Sequence, residues 1–217
     1  MSTSPSHIAD IRQDYCLAAL DESIVGEDPL GFFHRWFDEA LKAQISEVNA
    51  MTLATVSANN TPHARIVLLK GVERGGFTFF TNYNSHKGNE MDTHKSVALL
   101  FFWKELERQV RIEGMVHKLD EKDSDAYFHS RPEGSRIGAW ASPQSSVITD
   151  RTVIEKNYTE YTEKFAGSNP PRPPHWGGYS VIPKSIEFWQ GRSSRMHDRI
   201  LFTKDTNGIW SKCRLAP

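Results

Sequence analysis

The chain has 217 residues, 24% of them charged, with a formal net charge of −1. That length carries one domain with a real core or two small ones, and near-neutrality excludes a general basic field for nucleic acid. Two cysteines, Cys16 and Cys213, cannot build a disulfide framework, the first residues lack an apolar leader, and no apolar run approaches a membrane span, so a cytoplasmic protein is expected.

Residues 1–27 are polar and are expected to form a mobile arm, with a short helix within residues 8–20. Residues 28–217 are expected to form a single domain. Asp28-Pro29 reads as an N-cap followed by proline at the first helical position. Phe32, Phe33, Trp36, Phe37, Ala40 and Leu41 follow at helical spacing, so an amphipathic helix runs to about Ile45 and buries its aromatic stripe.

Short β-branched or aromatic runs come next, at 51–57, 64–72, 76–82, 97–103 and 107–119, separated by turn residues. Their connections leave little room for crossover helices, so the sheet is antiparallel and closes into a barrel. An acidic turn opens a predicted helix over 120–132 that stops before Pro132, and a second helix spans 149–167 with Gly167 near its end. PPRPPHWGG (170–178) is a stiff connector. YSVIPKSIEFWQ, RILFTKD and GIWSKCRL are late strands, the last two joined by a hairpin at Asn207-Gly208. The class is α+β.

Four stretches carry more polar chemistry than folding requires. In ARIVLLK, Arg65 and Lys70 are five apart and point to opposite faces of a regular strand, where the plain reading is two snorkelling charges. TNYNSHKGNE (81–90) places hydroxyls, a lysine and backbone N–H groups at a strand end, which suits a phosphate. It has neither the GxxxxGK[ST] nor the GxGxxG pattern of nucleotide loops. In YFHSRPEGSRIGAWASPQSS (127–146), Tyr127, Arg131 and Ser135 recur at intervals of four and form a phosphate cradle if helical geometry gathers them, with Gln144, Ser145 and Ser146 adding polar groups. WQGRSSRMHDR (189–199) sets His197 among arginines without the context of a metal site, so no metal is expected. No nucleophile elbow is present, and neither cysteine has a catalytic setting. Many anion-binding groups and few nucleophiles suit an enzyme whose cofactor performs the chemistry.

Taken in order, RIVLLK, FFTNYNSHKG, LERQV, YFHSRPEGSRIGAWASPQSS, IEFWQG, RMHDR and the closing RLAP resemble the pyridoxine/pyridoxamine 5′-phosphate oxidase family. The match runs from about residue 28 to Pro217, with a weaker one at Arg12 and Tyr15. The resemblance implies an FMN-binding split β-barrel with Greek-key-like connections and flanking helices, acting as a homodimer with sites at the subunit interface. It implies that Arg65, Ile66, Val67, Leu68, Leu69 and Lys70 line the flavin, with Arg65 at its phosphate. Phe80, Thr81, His86, Lys87, Gln109, Gln144, Ser145, Trp189 and Arg199 complete that shell. His86 stands where the family often has arginine, and a neutral imidazole is common at pH 7. Lys70, Tyr127, Arg131 and Ser135 are implied at the substrate phosphate, and Arg195, Met196 and His197 beside the pyridine ring. Arg12 and Tyr15 close over it. Arg195 and His197 are the implied catalytic pair, while Arg192 reads as an exposed turn residue. The implied reaction moves a hydride from C4′ of pyridoxine or pyridoxamine 5′-phosphate to flavin N5 and gives pyridoxal 5′-phosphate. O2 reoxidises the flavin to yield hydrogen peroxide. The rival readings are a phenazine-pathway oxidase of the same fold and a non-catalytic flavin- or pyridoxal-phosphate-binding protein.

Overall fold

The structure is a computed structural model and describes residue 8, residue 11 and residues 13–217. Arg12 lies outside the described residues. The chain divides into two compact units, each assembled from separate segments.

The first unit comprises Met1–Val48, Leu100–Ile112 and Ser185–Pro217. It holds helices α1 (Glu22–Val25) and α2 (Pro29–Lys42). Asp28 caps α2 by accepting a hydrogen bond from the Leu30 N–H at 3.0 Å, and Pro29 opens the first turn. Phe32 and Trp36 both pack edge-on against Phe188, with centroids 4.6 and 5.3 Å away, and Phe33 lies 5.2 Å from Phe101. Leu41 stays half exposed, and the helix stops three residues before Ile45 because Gln44 adopts φ 55°. No helix forms over residues 13–20. The Leu17 and Leu20 N–H groups donate instead to the carboxylates of Glu107 and Asp198, at 3.0 Å each, which takes them away from helical bonding. The unit also contains parts of β5 (Ser96–Trp103), β6 (Arg108–Lys118) and β7 (Trp176–Gln190), and all of β8 (Asp198–Lys204) and β9 (Trp210–Leu215). The β8–β9 hairpin forms as its Asn-Gly signal predicts. Asp205 accepts from the N–H groups of Asn207 and Ile209, and Gly208 takes φ 84°.

The second unit comprises Asn49–Leu99 and Glu113–Lys184. It holds β1 (Ala50–Val56), β2 (Pro62–Leu68), β3 (Gly71–Glu73), β4 (Gly76–Asn82), α3 (His86–Thr93), α4 (Glu121–Ser130), α5 (Glu133–Ala141) and α6 (Thr152–Lys164), with the remaining parts of β5, β6 and β7. Strand neighbours follow the path β2-β1-β5-β6-β7-β4-β3, with β8 beside β7 and β9 beside β8. The pairings of β1 with β2, β3 with β4, β4 with β7, β7 with β8 and β8 with β9 are antiparallel. Among the described residues no helix is long and apolar enough to cross a membrane.

One local expectation is corrected here. The apolar run 64–72 is two strands, because the backbone changes neighbours at Leu69-Lys70. The Leu69 N–H donates to the Asn49 carbonyl beside β1, and the Lys70 N–H to the Thr78 carbonyl of β4, at 2.8 Å each. Strict alternation therefore fails between Arg65 and Lys70. The predicted stop before Pro132 holds: α4 ends at Ser130, so Tyr127, Arg131 and Ser135 do not share one helix. Arg131 is extended (φ −75°, ψ 150°) before Pro132, and α5 starts afresh at Glu133.

Candidate functional site

The second unit forms an open cavity of about 840 Å³, built from six elements and the loops between them. Strand β2 contributes Arg65, Ile66, Val67 and Leu68, and the corner after it contributes Lys70. Phe80, Thr81 and Asn82 come from β4, Lys87 from α3, and Tyr127 from α4. Arg131 and Pro132 follow from the break between helices, then Ser135, Gly138 and Ala139 from α5. Ser142, Gln144 and Trp176 complete the wall. The break at Arg131 gathers Tyr127, Arg131 and Ser135 at one cavity although they lie on two helices and the link between them, and the corner at Leu69-Lys70 brings Lys70 to the same cavity as Arg65.

The wall has distinct chemical regions. Phe80 stacks on Tyr127 at 3.8 Å between centroids and on Trp176 at 5.6 Å. Arg131 lies over the Trp176 ring, 4.4 Å from its centroid. Burial pushes the Arg131 guanidinium below its ordinary pKa, and its Nη1 is buried without a hydrogen-bond partner. The Lys87 Nζ donates to Thr81 Oγ1 at 3.3 Å and Ser85 Oγ at 3.4 Å, and Thr81 Oγ1 donates to Gln144 Oε1 at 3.3 Å. Burial lowers the Lys87 pKa, the neighbouring charge of Arg65 lowers it further, and Glu90 opposes both. The backbone needs Gly88 next to Lys87, since a Cβ there would stand 2.0 Å from the Tyr83 carbonyl oxygen. Half-buried cations with donors to spare are the signature of a site that receives an anion.

Three residues expected in this half lie off the wall. Leu69 turns its side chain into the core, His86 is exposed at the first position of α3, and Ser145 is exposed at φ 72°.

The first unit gathers a second group. Trp189 is the second-last residue of β7, and the rings of His197 and Tyr15 lie 4.5 and 5.8 Å from it. His197 Nδ1 accepts a hydrogen bond from the Arg192 N–H at 3.1 Å, so the neutral ring carries its proton on Nε2. Arg199, paired in register with Trp189, donates to Glu187 at 2.7 Å and to the Ala216 carbonyl at 2.9 Å, and the Glu187 contact raises its pKa. Arg195 and Met196 are exposed at a 3-10 turn in which Ser194 and Arg195 take φ 55° and 60°. Gln109 is partly buried on β6. Arg192 departs from the expected free turn residue, for its guanidinium pairs with Asp198 at 3.0 Å.

Sequence reasoning missed two buried carboxylates behind these arginines. Glu90 contacts Arg65, and Glu187 contacts Arg199 and Arg111. The available signal for Glu90 was its place three residues after Lys87, on the same side of α3. Glu187 alternates with Ile186 and Phe188, which marks its face but not its partners. Asn82 and Trp176 were likewise missed as lining residues.

Comparison with known proteins agrees with this layout. Residues 37–165 match the family described as Pyridoxamine 5′-phosphate oxidase, and residues 176–217 match the Pyridoxine 5′-phosphate oxidase C-terminal dimerisation region. A pyridoxine/pyridoxamine 5′-phosphate oxidase of Ralstonia pickettii is 59% identical over 210 residues, covering 97% of this chain and 99% of that relative. One from Cupriavidus necator is 56% identical over 212 residues, covering 98% and 100%. The crystal structure of PhzG from Burkholderia lata, in complex with tetrahydrophenazine-1-carboxylic acid, matches with a TM-score of 0.86 at 28% identity, covering 93% of this chain and 99% of that one. A pyridoxamine 5′-phosphate oxidase-related, FMN binding protein of Nostoc punctiforme shares the fold, with a TM-score of 0.70 at 16% identity over 88% of this chain and 98% of that one. The fold is therefore an α+β split barrel, an antiparallel sheet with flanking helices. By the two family matches and the extent of identity, the chain belongs to the pyridoxine/pyridoxamine 5′-phosphate oxidase family.

Proposed function

We propose that this protein is an FMN-dependent oxidase that converts pyridoxine or pyridoxamine 5′-phosphate to pyridoxal 5′-phosphate, in cytoplasmic synthesis and salvage of that cofactor. The observation that carries the reading is the cavity wall, which offers two cationic and hydroxyl sets, one for each of two phosphates. The residues present fit FMN. Arg65 and Lys87, with Thr81 and Gln144 beside them, form the set for its phosphate, and the half-buried charge of Lys87 lacks a full counter-ion. Ile66, Val67, Leu68 and Phe80 line its shell in this unit, and Gln109, Trp189 and Arg199 are assigned to it through the homodimer proposed below. When bound, FMN supplies the hydride acceptor, and oxygen is the final oxidant that leaves as hydrogen peroxide.

The chain's own residues then bind and orient. Lys70, Tyr127, Arg131 and Ser135 take the substrate phosphate, and the unpartnered Arg131 Nη1 supports that role. Fixing the phosphate fixes the reacting carbon, so this contact contributes to turnover through orientation. Arg195 covers the pyridine ring with Met196 beside it. His197 donates through Nε2–H, because its Nδ1 is already an acceptor, and so acts as a positioning group rather than a base while neutral. Tyr15, packed on Trp189 and His197, belongs to the same group. The match of residues 176–217 to a dimerisation region supports a homodimer in which this group completes the partner's site.

The likeness to PhzG favours a second reading, an oxidase of a carboxylated phenazine precursor. Such a substrate leaves Arg131, Tyr127 and Ser135 without a phosphate. Peroxide release from the FMN-loaded protein separates the readings. Release with pyridoxine 5′-phosphate but not with unphosphorylated pyridoxine supports the proposal. Release only with a tetrahydrophenazine carboxylate supports the second reading, and bound FMN without peroxide from any of them indicates a binding protein.

A further inference from the structure

Glu90 does not line the cavity but sits directly behind it. The β1–β2 register pairs Thr55 with His63 and Leu53 with Arg65, and alternation puts these side chains on one face. Helix α3 packs on β1 and brings Glu90 onto that face. Glu90 Oε2 accepts from Thr55 Oγ1 at 2.5 Å and from Arg65 Nη2 at 3.2 Å, and Oε1 meets His63 Nδ1 at 2.5 Å. The carboxylate is 8% exposed and Thr55 is 1% exposed. Burial alone would raise the Glu90 pKa, but the hydrogen bonds from Thr55, His63 and Arg65 outweigh it and hold it below the usual carboxylate range.

The consequence falls on Arg65. Its Nη1 donates to Thr55 Oγ1 and, at 3.4 Å, to the Leu53 carbonyl, while Nη2 is taken by Glu90. A guanidinium has five N–H donors in a rigid fork, so tying one side fixes where the others point. We propose that Glu90 is a positioning residue that holds Arg65 in the orientation serving the flavin phosphate, through hydrogen-bond geometry and not through charge. This rests on the reading of Arg65 as a phosphate ligand. Charge has the wrong sign for the task, since a carboxylate beside the pocket repels a phosphate. Glutamine can keep all three contacts, accepting from Thr55 and Arg65 through Oε1 and donating to His63 Nδ1 through Nε2.

The test measures dissociation constants for FMN and for riboflavin, which lacks the phosphate, by flavin fluorescence quenching on full-length protein. The variants are Glu90→Asp, Glu90→Gln, Glu90→Ala, Arg65→Ala and the double variant Arg65→Ala/Glu90→Ala. Asp keeps the charge and loses the reach; Gln does the reverse. Glu90→Ala and Glu90→Asp are expected to weaken FMN by about tenfold or more, with riboflavin affinity unchanged. Glu90→Gln is expected to stay within about threefold of wild type, and Glu90→Ala to add no more than about threefold to the loss in Arg65→Ala. The Asp and Gln pair decides the matter even if the alanine variant does not fold. The proposal is overturned if Asp retains FMN while Gln loses it, if all Glu90 variants bind FMN normally, or if both flavins weaken equally. If Arg65→Ala itself does not distinguish FMN from riboflavin, the reading of Arg65 has failed instead. If it does and Glu90→Ala does not, only the positioning role has failed.

Discussion

Both units set an arginine against a buried carboxylate, yet they present their polar groups differently. In the second unit Arg65 is tied back to Glu90 and faces a concave wall assembled from strands and helices. In the first, Arg199 is tied to Glu187 in the same manner, but Arg195 and Met196 stand exposed on a left-handed turn. One region is a preformed receptacle. The other offers side chains outward from a strained turn, and its geometry becomes useful only against something that meets it. On the proposed function the pocket binds and the turn engages the reacting ring, and variants should separate these two tasks.

The sharpest separation is expected from Arg195→Leu. Turnover efficiency with pyridoxine 5′-phosphate should fall about a hundredfold or more while FMN affinity holds, as steady-state kinetics and flavin titration would show. Wild-type kinetics would remove the exposed turn from the reaction. Next in size is Arg131→Ala, for which KM for the phosphorylated substrate should rise about tenfold to a hundredfold, again with FMN retained. Loss of FMN instead would mean that the two phosphate regions are assigned the wrong way round.

The carboxylates give smaller effects. Glu187→Ala leaves Arg199 and Arg111 without their shared partner, and because both arginines are partly solvated the expected cost is about 1–3 kcal/mol in denaturant unfolding. An unchanged midpoint would show that the two arginines need no buried partner. The Glu90 pKa is lowered in the folded state, so its contribution to stability is present above the unfolded carboxylate pKa of about 4.3 and is lost as pH falls through the folded value. Acid unfolding of Glu90→Gln should therefore be less steep than that of wild type below about pH 4. Equal slopes would remove Glu90 from the acid transition.

Much of the sheet was legible because its strands are short, apolar or alternating, and punctuated by turn residues. The α2 cap and the Asn207-Gly208 hairpin were legible because each is decided within a few residues. The corner at Leu69-Lys70 was not, since the apolar run continues unbroken while the backbone changes partners. Helix α5 was hidden by Gly134 and Gly138 within its nine residues. The backbone at 17 and 20 is held by Glu107 and Asp198, which are far away in sequence, and no helix forms there. At the site, spacing named the right residue types with the wrong geometry. Tyr127, Arg131 and Ser135 do meet at the cavity, but across a helix break, and the carboxylates behind the arginines are long-range contacts that no local pattern announces.

The most direct test of the proposed oxidation is an anaerobic titration of the FMN-loaded protein with pyridoxine 5′-phosphate, followed by admission of oxygen. The expected result is stoichiometric bleaching of the visible flavin band with formation of pyridoxal 5′-phosphate, and recovery of the band with one peroxide per flavin once oxygen enters. A flavin band that stays intact with saturating pyridoxine and pyridoxamine 5′-phosphates would contradict it.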